Sequence, residues 1–179
     1  DNYKSMSTGS KEYVDAINEK VEKEFSQNFA VKVPDGQSDS LAAMGVLHGV
    51  DEGIGDDGKT KVRVAWDGTR VGPNRRVKFY ERQELPSFGT LLGILNYLLL
   101  RFPSFQWAAI KYDFRSAFKR IPIHPDDQKF IGFTFGGMFY KYLVCPFGWV
   151  LSAFYWARMA ACIHRCLKRM TAHVVTVFA

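Results

Sequence analysis

Cysteine is scarce in this sequence: Cys145, Cys162 and Cys166 are the only three, an odd number with no C-x-x-C pair. That excludes a disulfide framework, and their place in an aromatic-rich stretch reads as packed interior. Long apolar runs are missing as well. The longest, Leu91 to Leu100, contains Gly93, Asn96 and Tyr97 and reaches about half of the roughly 20 residues a membrane helix needs, so no membrane span is expected. Repeats and low-complexity tracts are absent. With 47% hydrophobic and 23% charged residues the chain is no disordered tail, and its length can bury one sizeable core, as one domain or two closely packed lobes. An acidic excess is lacking too: 24 Lys and Arg against 18 Asp and Glu leave a net +6, which suits a polyanionic partner, nucleic acid first. The chain begins at Asp1, as a processed form or a piece of something longer would, and no compartment is legible from it.

What is present is a sequence of well-marked segments. Ser10 can cap a helix whose apolar positions Tyr13, Val14, Ile17, Val21 and Phe25 follow helical spacing. Ala30 to Asp39 and Asp51 to Gly58 read as loops, the second acidic and glycine-rich. Met44 to Val50 and Lys61 to Trp66 are short β-type runs that suggest a hairpin with a basic second strand. GTLLGILNYLLLRF, after Pro86 and Ser87, is apolar almost all round and predicts a helix buried between layers. Trp107 to Asp113 is a short apolar strand closing on a carboxylate. Phe130 to Phe135 and Met138 to Val144 form the clearest hairpin, joined by Gly136 and Gly137. A helix follows from Ser152 to about Met170, and His173 to Phe178 reads as a final strand. This order predicts an α+β fold, an antiparallel sheet backed by helices.

Chemistry concentrates in three places. In KYDFRSAFKRIPIHPDDQKF, Asp113 ends a strand and Phe118 follows five residues later. In YKYLVCPFGWVLSAFYWARM, Pro146, Gly148 and Ser152 mark a strand, a tight turn and a helix start. Between Lys59 and Arg82 lie Lys59, Lys61, Arg63, Arg70, Arg75, Arg76, Lys78 and Arg82 against Asp67 and Glu81, the equivalent of the whole net charge. Taken singly, these features also fit a strand-end carboxylate capping a turn, a Phe packed in a core and a solvated basic face. Arg158, Arg165, Lys168 and Arg169 form a second cluster on the late helix, to which no role is assigned. Cys162 and Cys166 share a helix face, but His164 points elsewhere, so core thiols are favoured over zinc.

The first two blocks, with the basic hairpin before them, resemble reverse transcriptases of retroelements, most closely the retrotransposon type. Its first palm motif reads like D-x-x-x-A-[FY]-x-x-I-P-[IL]-H-P-x-x-x-x-[FY], matched here from Asp113 to Phe130, and Pro146 through Ser152 match the next. DGKTKVRVAWDGTRVGPN resembles the basic fingers motif. The resemblance implies a fingers-like region over residues 1–107 and a partial palm over 108–179. It implies Asp113 as a catalytic ligand of Mg²⁺, since nucleotidyl transfer needs two hard cations held by carboxylates. Phe118 would be the sugar gate that favours deoxynucleotides, Lys61 and Arg63 the triphosphate cations, and Phe147 with Gly148 the nucleotide pocket. Arg70, Arg75, Arg76 and Lys78 would grip the nucleic-acid backbone. The implied partners are an RNA or DNA template-primer and a deoxynucleoside triphosphate. Trp149 departs from the Leu common in the retrotransposon versions, and His124 belongs to a structural turn.

The family's third palm motif carries two adjacent aspartates after a strand like VVTVFA, where the chain stops at Ala179. Asp126 and Asp127 sit in a loop after the first motif and do not replace them. The expectation is therefore a chain inactive as it stands and competent for template-directed nucleotidyl transfer if completed downstream. The alternative is a domesticated, catalytically dead structural or RNA-binding subunit, with partner proteins of a larger assembly covering the open palm edge.

Overall fold

The computed structural model describes residues 10–70, 72–81, 87–106 and 113–171. Helix α1 (Lys11–Ser26) starts where the Ser10 hydroxyl accepts the Tyr13 amide at 3.4 Å, and its apolar stripe buries Ile17 and Val21. Strand β1 (Ala30–Lys32) follows. Its three residues fall in the stretch expected to be a loop. So short a segment has no readable period, and it is a strand because it pairs antiparallel with β5 (Met138–Tyr142). β4 (Gly132–Phe135) pairs with β5 on the other side across the Gly136–Gly137 turn, giving a three-stranded antiparallel sheet in the order β1-β5-β4.

The basic hairpin is the second sheet, β2 (Val46–Ile54) against β3 (Thr60–Asp67). It is longer than its sequence suggests, because β2 runs through Asp51 to Ile54, part of the acidic stretch expected as a loop. The core lies where α1, this hairpin and the three-stranded sheet meet: Ile17, Leu47, Val62, Val64, Ile131, Phe133, Tyr142 and the fully buried Trp66. Phe25 stacks on Tyr140 at 4.4 Å, adding an aromatic layer under the end of α1. Trp66 ties the sheets together, its indole N–H donating to the Gly132 carbonyl at 2.9 Å.

A short α2 (Pro73–Arg76), then α3 (Phe88–Arg101) and α4 (Val150–Thr171) complete the described elements. A capping box of Ser87 and Thr90 starts α3. The expectation that α3 is buried fails: Leu98 is its one buried residue, while Tyr97 is 61% and Leu100 84% exposed. A helix apolar on every side needs cover on every side, and among the described residues this one receives it along a single line. Likewise Cys145 is buried, as expected, but Cys162 and Cys166 are exposed on α4 and are not core thiols. The strands expected at 107–112 and 173–178 lie outside the described residues. The chain forms two compact units, Asp1–Lys78 with Ser116–Ala153, and Phe79–Arg115 with Phe154–Ala179. No helix among the described residues is long and apolar enough to cross a membrane.

Candidate functional site

The period of two along β3 sends Val62, Val64 and Trp66 into the core and leaves Lys61 and Arg63 on the opposite, exposed face. Both cations meet one carboxylate, Glu52 of β2: Lys61 Nζ at 3.7 Å, and Arg63 in a direct ion pair. The Arg63 guanidinium also lies 4.8 Å from the centre of the Phe147 ring, within the range of a cation–π contact. Phe147 in turn stacks with Phe118, ring centres 6.0 Å apart and planes 22° from parallel. Thus β3, the 3-10 turn Phe118–Arg120 and the turn before α4 deliver a cation and two rings to one place.

The turn that carries Phe147 is fastened to the end of the hairpin. The Trp66 amide donates to the Phe147 carbonyl at 2.7 Å. Gly148 follows with φ +93°, and a Cβ there would come 2.4 Å from the Trp66 carbonyl oxygen, so both the backbone angle and the close approach require glycine. Asn74 completes the fastening. Its Nδ2 donates to the Gly148 carbonyl at 2.9 Å and to Thr69 Oγ1 at 3.1 Å, and its Oδ1 accepts the Val150 amide at 3.1 Å. Beneath, the buried Ser152 hydroxyl donates to the Pro146 carbonyl at 2.5 Å.

At the end of β3, burial pushes the Asp67 carboxyl up, but the amides of Thr69 and Arg70 together with His48 outweigh it and hold the group below its usual value. The chain beyond β3 is thereby held in a tight turn. Arg70, Arg75, Arg76 and Lys78 are exposed along this exit and outside the ring stack. Next to Phe118, Lys119 points inward and pairs with Glu24 of α1 at 3.0 Å, 4.1 Å from the Tyr142 ring centre. Burial lowers the Lys119 pKa against the opposing pull of Glu24, and burial first, then Glu24, raises that of Tyr142. Burial also pushes the Cys145 thiol up to about 11, which keeps it protonated and inert at neutral pH. His124 accepts the Asp126 amide through Nδ1 at 3.4 Å and so caps the 3-10 turn Pro125–Phe130.

The structure therefore brings together Lys61, Arg63, Phe118, Phe147 and Gly148. Asp113 is exposed and belongs to the other compact unit. Among the described residues no group of three or more His, Cys, Asp or Glu side chains could hold a metal ion. Asp113 with the residues described is thus not a complete Mg²⁺ site. Glu52 and Trp66 do as much in the site as the residues found by motif, and Asn74, the asparagine at the exit of the fingers motif, is the residue that fastens the turn. Glu52 sits in a stretch that looks like a loop, and the contacts of Trp66 and Asn74 join positions far apart in the chain.

No protein-family model matches the chain, and no curated protein sequence matches it. Among solved structures, a foamy viral protease–reverse transcriptase in complex with double-stranded DNA is similar, with a TM-score of 0.62 and 21% sequence identity. The similarity covers 94% of this chain and 25% of that one, so the chain spans about a quarter of its length. The architecture built above, a basic hairpin and an antiparallel sheet with helices, is that of a reverse-transcriptase-like fold.

Proposed function

We propose that the chain is the fingers and first part of the palm of a template-directed polymerase of the retroelement reverse-transcriptase kind, and that it takes deoxynucleotides. The observation that carries this reading is the contact series Arg63–Phe147–Phe118. It gathers a phosphate-binding cation and two flat rings from three separate elements, in a fold similar to that of a reverse transcriptase.

In this reading Arg63 and Lys61 take the triphosphate. A guanidinium offers paired N–H donors to phosphate oxygens and a lysine a point charge. Phe118 lies under the sugar and leaves no room for a 2′-hydroxyl. Phe147 and Gly148 face the base and the template, with Asn74 and Trp66 holding their turn in place. The exposed Arg70, Arg75, Arg76 and Lys78 supply backbone contacts whose strength falls with salt. The foamy viral protein was solved on double-stranded DNA, which makes a primer–template duplex the polyanion to try first. Mg²⁺ is the implied cofactor, and when bound it would stabilise charge on the transferring phosphate. Asp113 is its proposed ligand, together with carboxylates beyond those described.

Binding tests the reading without turnover. With a primer–template duplex present, the chain should bind dATP more tightly than ATP, read by calorimetric titration. Arg63→Ala should weaken dATP about tenfold, and Phe118→Ala should bring dATP and ATP to equal affinity. Equal affinity in the unaltered chain, or no loss in Arg63→Ala, would overturn it.

A further inference from the structure

We propose that Glu52 is an internal counter-anion, a residue that sets how tightly Lys61 and Arg63 take a polyphosphate. The proposal rests on the reading of those two residues as phosphate-binding cations, and its grounds are local geometry. Asp51 pairs with Val62 and Ile54 with Thr60, so Glu52 and Gly53 together face Lys61 across a β-bulge. Gly53 has φ +82° and its amide is held by Asp51 Oδ1 at 2.8 Å. A bulge with a left-handed glycine is a fixed irregularity that re-aims a neighbouring side chain.

The side chain it aims is Glu52, only 19% exposed, while Lys61 and Arg63 are 59% and 51% exposed. The carboxylate thus lies against the hairpin with the two cations reaching past it to solvent. One negative charge then serves two positive ones. It pre-aligns both, and it also lowers the positive potential that a polyphosphate meets. An incoming anion must share or displace the carboxylate. Both cations are more than half exposed, so solvent screens their pairs with Glu52 and a polyanion with several charges can displace them. The consequence is an affinity held below what the two cations alone would give. Neutralising Glu52 while keeping its length should raise that affinity.

The probe is inorganic tripolyphosphate, titrated by calorimetry into the full chain and into Glu52→Gln. Glu52→Gln should bind about fivefold more tightly, with a steeper salt dependence. The gain should vanish when Lys61→Ala and Arg63→Ala are added. Unchanged or weaker binding by Glu52→Gln, no binding by either protein, or a gain that survives loss of both cations would each overturn the proposal. Glu52→Ala serves as the second variant: if only Glu52→Gln were gained, the effect would belong to the amide and the proposal would fall. A dATP titration run in parallel separates the two readings. Tripolyphosphate tightening as expected, without a preference for dATP over ATP, would sink the polymerase reading and leave Glu52 as the governor of an anion site.

Discussion

The hairpin Val46–Asp67 carries eight charged residues, and helix α3, Phe88–Arg101, carries one. Hydropathy alone would put α3 in the interior and the hairpin outside. The structure does the reverse: Val62, Val64 and Trp66 of the hairpin are buried, and α3 buries Leu98 only. What decides the matter is arrangement. Every second residue of β3 points at α1 and the three-stranded sheet, so alternation concentrates a few apolar groups where two layers can close on them. In α3 the apolar groups surround the axis, and among the described residues most have no layer to close on.

That contrast can be broken by mutation. Its strongest test is Trp66→Ala, which removes a fully buried ring and its bond to Gly132. A loss of about 3–5 kcal/mol is expected in urea unfolding, and a loss under about 1 kcal/mol would mean that the hairpin does not organise the core. Asn74→Ala should cost less, about 1–2 kcal/mol, because it orphans the Val150 amide and the Gly148 carbonyl at the surface. Asn74→Asp should recover part of this, since it keeps the acceptor for Val150. The smallest effect belongs to α3. Leu100→Gln, at a site 84% exposed, should stay within about 0.5 kcal/mol of the original, and a loss of about 2 kcal/mol would show that the helix is covered after all.

Much of the fold was legible in the sequence because it rests on local rules. The capped α1, the Gly136–Gly137 hairpin, the basic hairpin and α4 each announce themselves by period, cap or turn residues, and all are present. β1 was not legible, because three residues of AVK become a strand only by pairing with β5. The Asp51–Ile54 segment was hidden by composition: acids and glycines mark loops, yet here they build a bulge within a strand. At the site, residue types and family spacing singled out Arg63, Phe118 and Phe147, and the structure adds that they touch. No sequence rule foretells that Asn74 bonds Gly148 and Val150, since such contacts are fixed by the closing of the whole unit.

The last buried side chain toward the tip of the basic hairpin is Val62; Ile54 beyond it is 76% exposed. At the other end, Trp66 and Asn74 are bonded to the turn before α4. Support from the core thus ends between the two cations: Arg63 has a buried neighbour on either side, Val62 and Val64, Lys61 stands beyond Val62, the last of them, and Glu52, paired with both, spans the boundary.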